Sequence, residues 1–426
     1  MERKILYIGA VLALAIVAAV VGLYLGQQTT QPATPTPAQQ TQTTPQPAQT
    51  TPATTQTPQS SPPQTSTQQP QASPPGCGGV SGEIVAGGAT FPGPQYDAWI
   101  KQFSEITGGR VKITYNYLGS GAGQAGLIKG ELAFAGSDLP LAPARYQEQR
   151  GKILQFPVVM GGILVVYNVP EVAYEKTGKR LNLTAEIIGD IYMGKIRYWD
   201  DPKIKAVNPA LADRLPHQPI TPVHRSDASG TTGWFTLFLT KAYPQWNQTV
   251  GWGLSVNWPV DQMGVARAGQ GNPGVAQLVL NTPYSIGYVE YNYWVTQRQK
   301  FDAVGGYALV QNGNDGKFYD PTPETIAEAA SEGLRQVAAK MGGFPSASDN
   351  WWQVVQLFAY PPRGYPIVGL SFAMIRTDYS GYPDPNTAAV VKCFFRYVLT
   401  EGQKRLVEGY LPLPPELAQV GLKAVG

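Results

Sequence analysis

The ten residues His224-Arg225-Ser226-Asp227-Ala228-Ser229-Gly230-Thr231-Thr232-Gly233 concentrate hydrogen-bond donors in one short stretch. Arg225 carries a planar guanidinium that can meet two oxygens at once. Ser229, Thr231 and Thr232 add hydroxyls, and Gly230 lets a ligand approach the backbone closely. The apolar run Ile220 to Val223 reads as a strand ending at Arg225, and Trp234 to Leu239 as a helix starting near Thr231. A helix start exposes unpaired N–H groups and the positive end of the helix dipole. Together these features suit a tetrahedral oxyanion. Asp227, two residues past Arg225, is placed to orient the guanidinium. A Ser/Asp-rich turn that merely caps a helix has the same composition, so this segment alone leaves both readings open.

The same order of strand, small polar turn and helix start recurs. Gly87-Gly88-Ala89-Thr90-Phe91-Pro92 offers the Thr90 hydroxyl and the Phe91 N–H, and Pro92 or Pro94 suits a first helical turn. Gly119-Ser120-Gly121-Ala122-Gly123 offers Ser120. Phe134-Ala135-Gly136-Ser137-Asp138-Leu139-Pro140 ends a strand with a carboxylate, which by itself reads as a capping aspartate. Gly121-Ala122-Gly123-Gln124-Ala125-Gly126 also fits the G-x-G-x-x-G pattern of dinucleotide sites. That pattern is weak in a chain with 47 glycines, and an anion-binding turn is preferred here. Hydrolytic chemistry is poorly provided for. There are two histidines, His217 and His224, and no clustered His, Cys and carboxylate ligands. Ser120, Ser137 and Ser229 have no evident general base. His224 reads as a structural residue at a strand end.

The elements that must position these turns alternate along the chain. Strands are expected at Glu83–Ala86, Val111–Tyr117, Leu132–Ala135, Val158–Tyr167, Tyr284–Glu290 and Ile367–Ile375. Helices are expected at Pro94–Ile106, Ala125–Gly130, Ala185–Met193, Glu324–Met341 and Asn386–Val407. The alternation predicts an α/β fold with largely parallel sheets.

The 426 residues are 43% hydrophobic and 14% charged, with a net charge of +3. That balance gives no basic footprint for nucleic acid. Arg3 and Lys4 precede an apolar run, Ile5 to Leu25, long enough to span a bilayer. It predicts a membrane anchor over residues 1–26 with the rest of the chain outside, a cleaved signal segment being the alternative. Gln27 to Pro75 consists almost wholly of Thr, Gln, Pro, Ala and Ser and predicts an unfolded linker over residues 27–81. The two cysteines, Cys77 and Cys393, form either a disulfide or a buried free thiol at Cys393; their spacing does not decide. Asn182-Leu183-Thr184 and Asn247-Gln248-Thr249 are glycosylation sequons if this part lies outside the cell.

Four blocks resemble the phosphate-binding proteins of ABC-type phosphate importers, an extracytoplasmic solute-binding family. They are Gly88-Ala89-Thr90-Phe91-Pro92, Leu118-Gly119-Ser120-Gly121, Ala135-Gly136-Ser137-Asp138-Leu139-Pro140 and Arg225-Ser226-Asp227-Ala228-Ser229-Gly230-Thr231. Pro157–Gly162, Gly189–Ile196, Trp199-Asp200-Asp201 and Ser285–Tyr291 agree in order and spacing. The resemblance runs from about Gly82 to the C-terminus. It implies a two-lobe type II periplasmic-binding-protein fold with crossover strands, lobe I being 82–166 with 364–426 and lobe II 167–363. It implies that Thr90, Phe91, Ser120 and Asp138 face Arg225, Ser229, Gly230 and Thr231 across a phosphate, with Asp227 supporting Arg225. The implied partners are phosphate and permease subunits, with the chain monomeric and needing no cofactor. Ala228 and His224 depart from the family's usual residues. Another tetrahedral oxyanion, such as sulfate or molybdate, and more distantly a secreted phosphatase, are the alternatives.

Overall fold

The computed structural model describes Pro74 and residues 76–426. The expected anchor and the expected linker up to residue 73 lie outside the described residues; the expected end of the linker at residue 81 is too late, because Cys77 and Val80 are already buried in the core. No helix among the described residues is long and apolar enough to cross a membrane.

Thirteen strands are described: β1 (Gly82–Gly88), β2 (Val111–Tyr117), β3 (Phe134–Ser137), β4 (Ile153–Asn168), β5 (Asn182–Leu183), β6 (Thr221–Arg225), β7 (Arg267–Gly269), β8 (Ser285–Glu290), β9 (Gly305–Tyr307), β10 (Leu309–Asn312), β11 (Lys317–Tyr319), β12 (Val368–Arg376) and β13 (Tyr410–Leu411). Ten form one sheet in the order β2-β1-β3-β12-β4-β8-β6-β7, with β9 and β13 also pairing with β4; β11-β10-β5 form a second. The helices that bear on the site are α1 (Gly93–Ile106), α2 (Ser120–Lys129), α3 (Gly230–Ala242), α4 (Gly271–Asn281), α5 (Tyr291–Val295) and α6 (Thr387–Leu399). The alternation of strand and helix is the expected one.

The sheet is less parallel than expected. Its two ends are parallel, β2-β1-β3 and β8-β6-β7. The middle is antiparallel, because β12 and β4 run against their neighbours. β4 is the reason. This 16-residue strand is almost wholly buried, as its unbroken apolar run requires. Residues 153–162 pair with β12 and residues 163–168 with β8, so one strand threads both ends of the sheet. Pro157, which lacks an N–H for the ladder, sits where the β12 register shifts. A side chain at Gly161 would press on the Phe91 ring, its Cβ lying 3.0 Å from that ring.

Two helix boundaries differ from expectation. α2 begins at Ser120 instead of Ala125, because the glycine run is its first turn. Gly119 holds φ at +88°, and a Cβ there would collide with the Asp227 carboxylate at 2.1 Å. A Cβ on Gly121 would meet Ala228 at 2.4 Å, and one on Gly123 would meet the Gly88 Cα at 2.6 Å. These glycines buy close packing, not a pyrophosphate cradle, which removes the dinucleotide reading. At the other end α6 stops at Leu399, well short of Val407. There Gly402 packs on the Trp99 indole, whose Nε1 donates to the Gly402 carbonyl at 2.9 Å.

α6 lies against the β1 end of the sheet. Its Phe394 and Phe395 pack on Phe134 of β3 with ring centres 5.5 and 4.9 Å apart. Cys393 on the same helix is disulfide-bonded to Cys77, with Cα atoms 5.8 Å apart. The pairing left open by the sequence is thus present. Asn182 of the first sequon is half-buried and donates to the Val207 carbonyl at 3.1 Å, whereas Asn247 is exposed.

Candidate anion-binding site

Three helix starts meet beside the strand ends of β1, β3, β6 and β7. The Ser120 hydroxyl, at the start of α2, accepts from the Gly230 N–H at 3.0 Å and from the Asp138 N–H at 3.2 Å. Gly230 opens α3, whose first turn is capped by the Ser229 hydroxyl accepting from the Thr232 N–H at 3.1 Å. Asn272, in the first turn of α4, donates its two amide protons to Thr90 Oγ1 at 3.0 Å and Thr231 Oγ1 at 3.1 Å. Its backbone N–H also reaches Thr90 Oγ1 at 3.0 Å. Each helix start adds donor groups and a positive dipole end without adding a mobile charge.

Proton counting orients the hydroxyls. Ser120 and Thr90 each accept two N–H bonds, which occupies both lone pairs of the oxygen. Thr231 Oγ1 accepts from Asn272 and, at 3.5 Å, from Arg225 Nη1. What remains on each oxygen is an O–H to donate, that of Ser120 lying within reach of the Asp138 carboxylate. The site is therefore a set of directed donors, as an anion with several oxygens requires.

The charges are balanced rather than simply positive. Arg225 gives Nε to Asp227 Oδ1 at 2.8 Å and Nη2 to Asp227 Oδ2 at 2.5 Å. Both side chains are buried, and the Gly271 N–H also donates to Asp227 Oδ1 at 3.0 Å. Asp227 thus fixes one edge of the guanidinium and leaves Nη1 turned to Thr231. Asp138 forms no ion pair among the described residues. Its Oδ1 accepts from the Ser371 hydroxyl at 2.9 Å, and its carbonyl accepts from Trp234 Nε1 at 2.8 Å. Burial pushes Asp138 up to about 7; Ser371, Arg225 and Ser120 oppose that shift. A Cβ on Gly230 would stand 2.4 Å from the Asp138 Cβ, so only glycine allows this approach.

All eight expected site residues, with Asp227, fall in this one region. The Phe91 carbonyl is held by the Tyr410 hydroxyl at 2.6 Å. His224 lies outside the set: its Nε2 meets Asp261 at 2.8 Å and its ring stacks on Trp258. Asn272, Ser371, Tyr293, Tyr410 and Trp234 were not expected. Asn272 had a signal, because Gly269-Gln270-Gly271-Asn272-Pro273 repeats the strand, small-residue turn and helix order. The others have no local signature. Among the described residues, no group of three or more His, Cys, Asp or Glu is placed to hold a metal ion.

Comparison with known proteins identifies the family. The PBP superfamily domain matches residues 41–401. The phosphate-binding protein PstS of Methanocaldococcus jannaschii is 39% identical over 346 residues, covering 79% of this chain and 84% of that protein. The chain belongs to the phosphate-binding protein family. A second family member, PstS of Haemophilus influenzae, is 36% identical over 335 residues, covering 78% of this chain and 90% of its own. Among solved structures, a high affinity periplasmic phosphate-binding protein bound with phosphate superposes with a TM-score of 0.58. It is 20% identical, and the match covers 81% of this chain and 98% of that one. At that identity the likeness speaks for the family's fold.

Proposed function

We propose that the protein captures inorganic phosphate at this site and passes it to the permease of an ABC-type importer. One observation carries the reading: directed donors from both ends of the sheet converge around Asp138, a buried carboxylate. Phosphate near neutral pH keeps at least one O–H, which a carboxylate accepts strongly. Sulfate has no proton to give and meets a repelling charge. Thr90, the Phe91 N–H, Ser120 and Asp138 hold one side of the anion; Arg225, Ser229, Gly230 and Thr231 hold the other. The relatives named phosphate-binding protein support this choice of anion.

In this reading residues 82–166 with 364–426 form one lobe and 167–363 the other, and their closure buries the anion and presents a new surface to the permease. Residues 1–26 anchor the chain, the linker up to about residue 75 tethers it, and the globular part works outside the cytoplasm as a monomer. The Cys77–Cys393 disulfide supports an oxidising compartment. Equilibrium dialysis with labelled phosphate, with sulfate and molybdate as competitors, tests the reading. Absence of phosphate binding near neutral pH, or displacement by equimolar sulfate, would sink it.

A further inference from the structure

In the phosphate reading Phe91 gives the site a backbone N–H, and the orientation of that N–H depends on the two peptide planes that flank it. The N–H of Phe91 shares a planar trans peptide with the Thr90 carbonyl, so the two point in opposite directions. The Tyr293 hydroxyl donates to the Thr90 carbonyl at 2.6 Å. The next plane is held by the Tyr410 hydroxyl on the Phe91 carbonyl, also at 2.6 Å. Both phenols are buried. A peptide carbonyl that accepts a strong hydrogen bond polarises the N–H of the same peptide, so the Tyr293 bond makes the Phe91 N–H a better donor, whereas the Phe91 carbonyl shares its peptide with Pro92, which has no N–H, and Tyr410 acts there by position alone.

Tyr410 cannot hold the Phe91 carbonyl unaided. Its hydroxyl has one proton, yet it lies against two acceptors: the Phe91 carbonyl at 2.6 Å and Glu290 Oε2 at 3.1 Å. The shorter contact takes the Tyr410 proton. The longer one then needs a proton from Glu290. Glu290 sits at the end of β8, fully buried, and its Oε1 has no hydrogen-bond partner. The Asn292 N–H caps Oε2 at 3.0 Å. The titratable groups acting on it are Tyr410, Tyr293, Tyr117 and Asp138, all neutral or acidic. Burial, first, and then Asp138 push its carboxyl well above the usual range. Burial without a cationic partner disfavours a charge there.

We propose that Glu290 is a positioning residue held as a neutral acid, and that its proton, through Tyr410, fixes the Phe91 carbonyl and with it the turn that carries the Phe91 N–H. The relay runs Glu290 to Tyr410 to the Phe91 carbonyl, with no net transfer of protons. Glu290 comes from β8, which pairs with residues 163–168 of β4, whereas Phe91 follows β1. The relay therefore links the two ends of the sheet. This inference rests on the phosphate reading for its binding arm only.

Glu290→Gln is the deciding variant, since a primary amide mimics the neutral acid in shape and can donate to Tyr410. Calorimetric titration with inorganic phosphate should give an affinity within about 3-fold of wild type for Glu290→Gln. Glu290→Ala and Tyr410→Phe should each lose about 10-fold. Infrared spectra taken at a pH well above the titration of Asp138 should show the carbonyl stretch of a protonated carboxyl in wild type and not in Glu290→Gln. That band needs no ligand. If wild type shows the band but binds no phosphate, the functional reading fails and the neutral acid stands. A missing band, a Glu290→Gln protein that does not fold, or one that binds as weakly as Glu290→Ala, overturns the proposal.

Discussion

Asp138→Asn separates two consequences of burying a carboxylate. Asp138 is 1% exposed and titrates at about 7 instead of 3.8, chiefly because of burial. The difference between 3.8 and about 7 corresponds to about 4 kcal/mol. The folded pKa lies above the unfolded one, so the native state holds a proton that the unfolded chain has released. The stability this gives is intact below about pH 4 and is lost as the pH rises through about 7. Asparagine stays neutral throughout. In phosphate-free buffer, the stability of the variant relative to wild type should rise by about 4 kcal/mol between about pH 4 and about pH 8. Denaturant titrations at a series of pH values measure this. Binding should move the other way. A charge-assisted hydrogen bond to phosphate contributes about 2 kcal/mol. Repulsion of sulfate by a carboxylate about 4 Å away contributes about 4 kcal/mol at an effective dielectric of about 20. Together they amount to a selectivity of about 10⁴-fold, and the variant should lose at least about 100-fold of it. Paired titrations with phosphate and sulfate provide the ratio. A stability difference that does not change with pH, together with an unchanged ratio, would refute the role given to Asp138.

Arg225→Ala should weaken phosphate binding by about 10²-fold or more and more than any other single change at the site, because it also strands the buried Asp227; titration across the site variants ranks them. Asn272→Ala removes the donor shared by Thr90 and Thr231 and should cost about 10-fold in affinity with a small change in melting temperature; calorimetry and thermal melts distinguish this from general unfolding. Replacing Cys77 and Cys393 together with serine should lower unfolding free energy by as much as about 5 kcal/mol, since the loop closed is long, while leaving phosphate affinity within about 2-fold; denaturant titration and calorimetry test the two halves of that statement.

The turns were legible because their chemistry is local. A hydroxyl, a glycine and a helix start lie within a few residues of one another at Thr90, Ser120 and Ser229, so composition alone marks them. Asp138 was legible only beside the other blocks, since one aspartate after a strand has an ordinary capping explanation. The contacts that join the turns were not legible. Ser120 meets Gly230 across 110 residues, and Asp138 meets Ser371 across 233. Ser371 lies inside a buried strand, where no neighbour betrays it. Tertiary packing also moved the boundaries: the glycines before Ala125 entered α2 because they face backbone at contact distance, and α6 yielded to the Trp99–Gly402 bond. The cysteine pairing depends on a three-dimensional proximity that sequence spacing does not encode.

The Cys77–Cys393 bond has a mechanical consequence. Cys77 lies just before β1, and its partner is in the middle of α6, which packs on the β1 end of the sheet. Tension arriving through the residues before Cys77 therefore divides at that point. Part of it passes straight into α6 through a covalent bond, instead of peeling β1 from β2 one hydrogen bond at a time. The strands β6, β7 and β8, which carry Arg225 and the approach to α4, stand outside that line of force. A pull on the N-terminal segment thus enters the sheet at its β1 end.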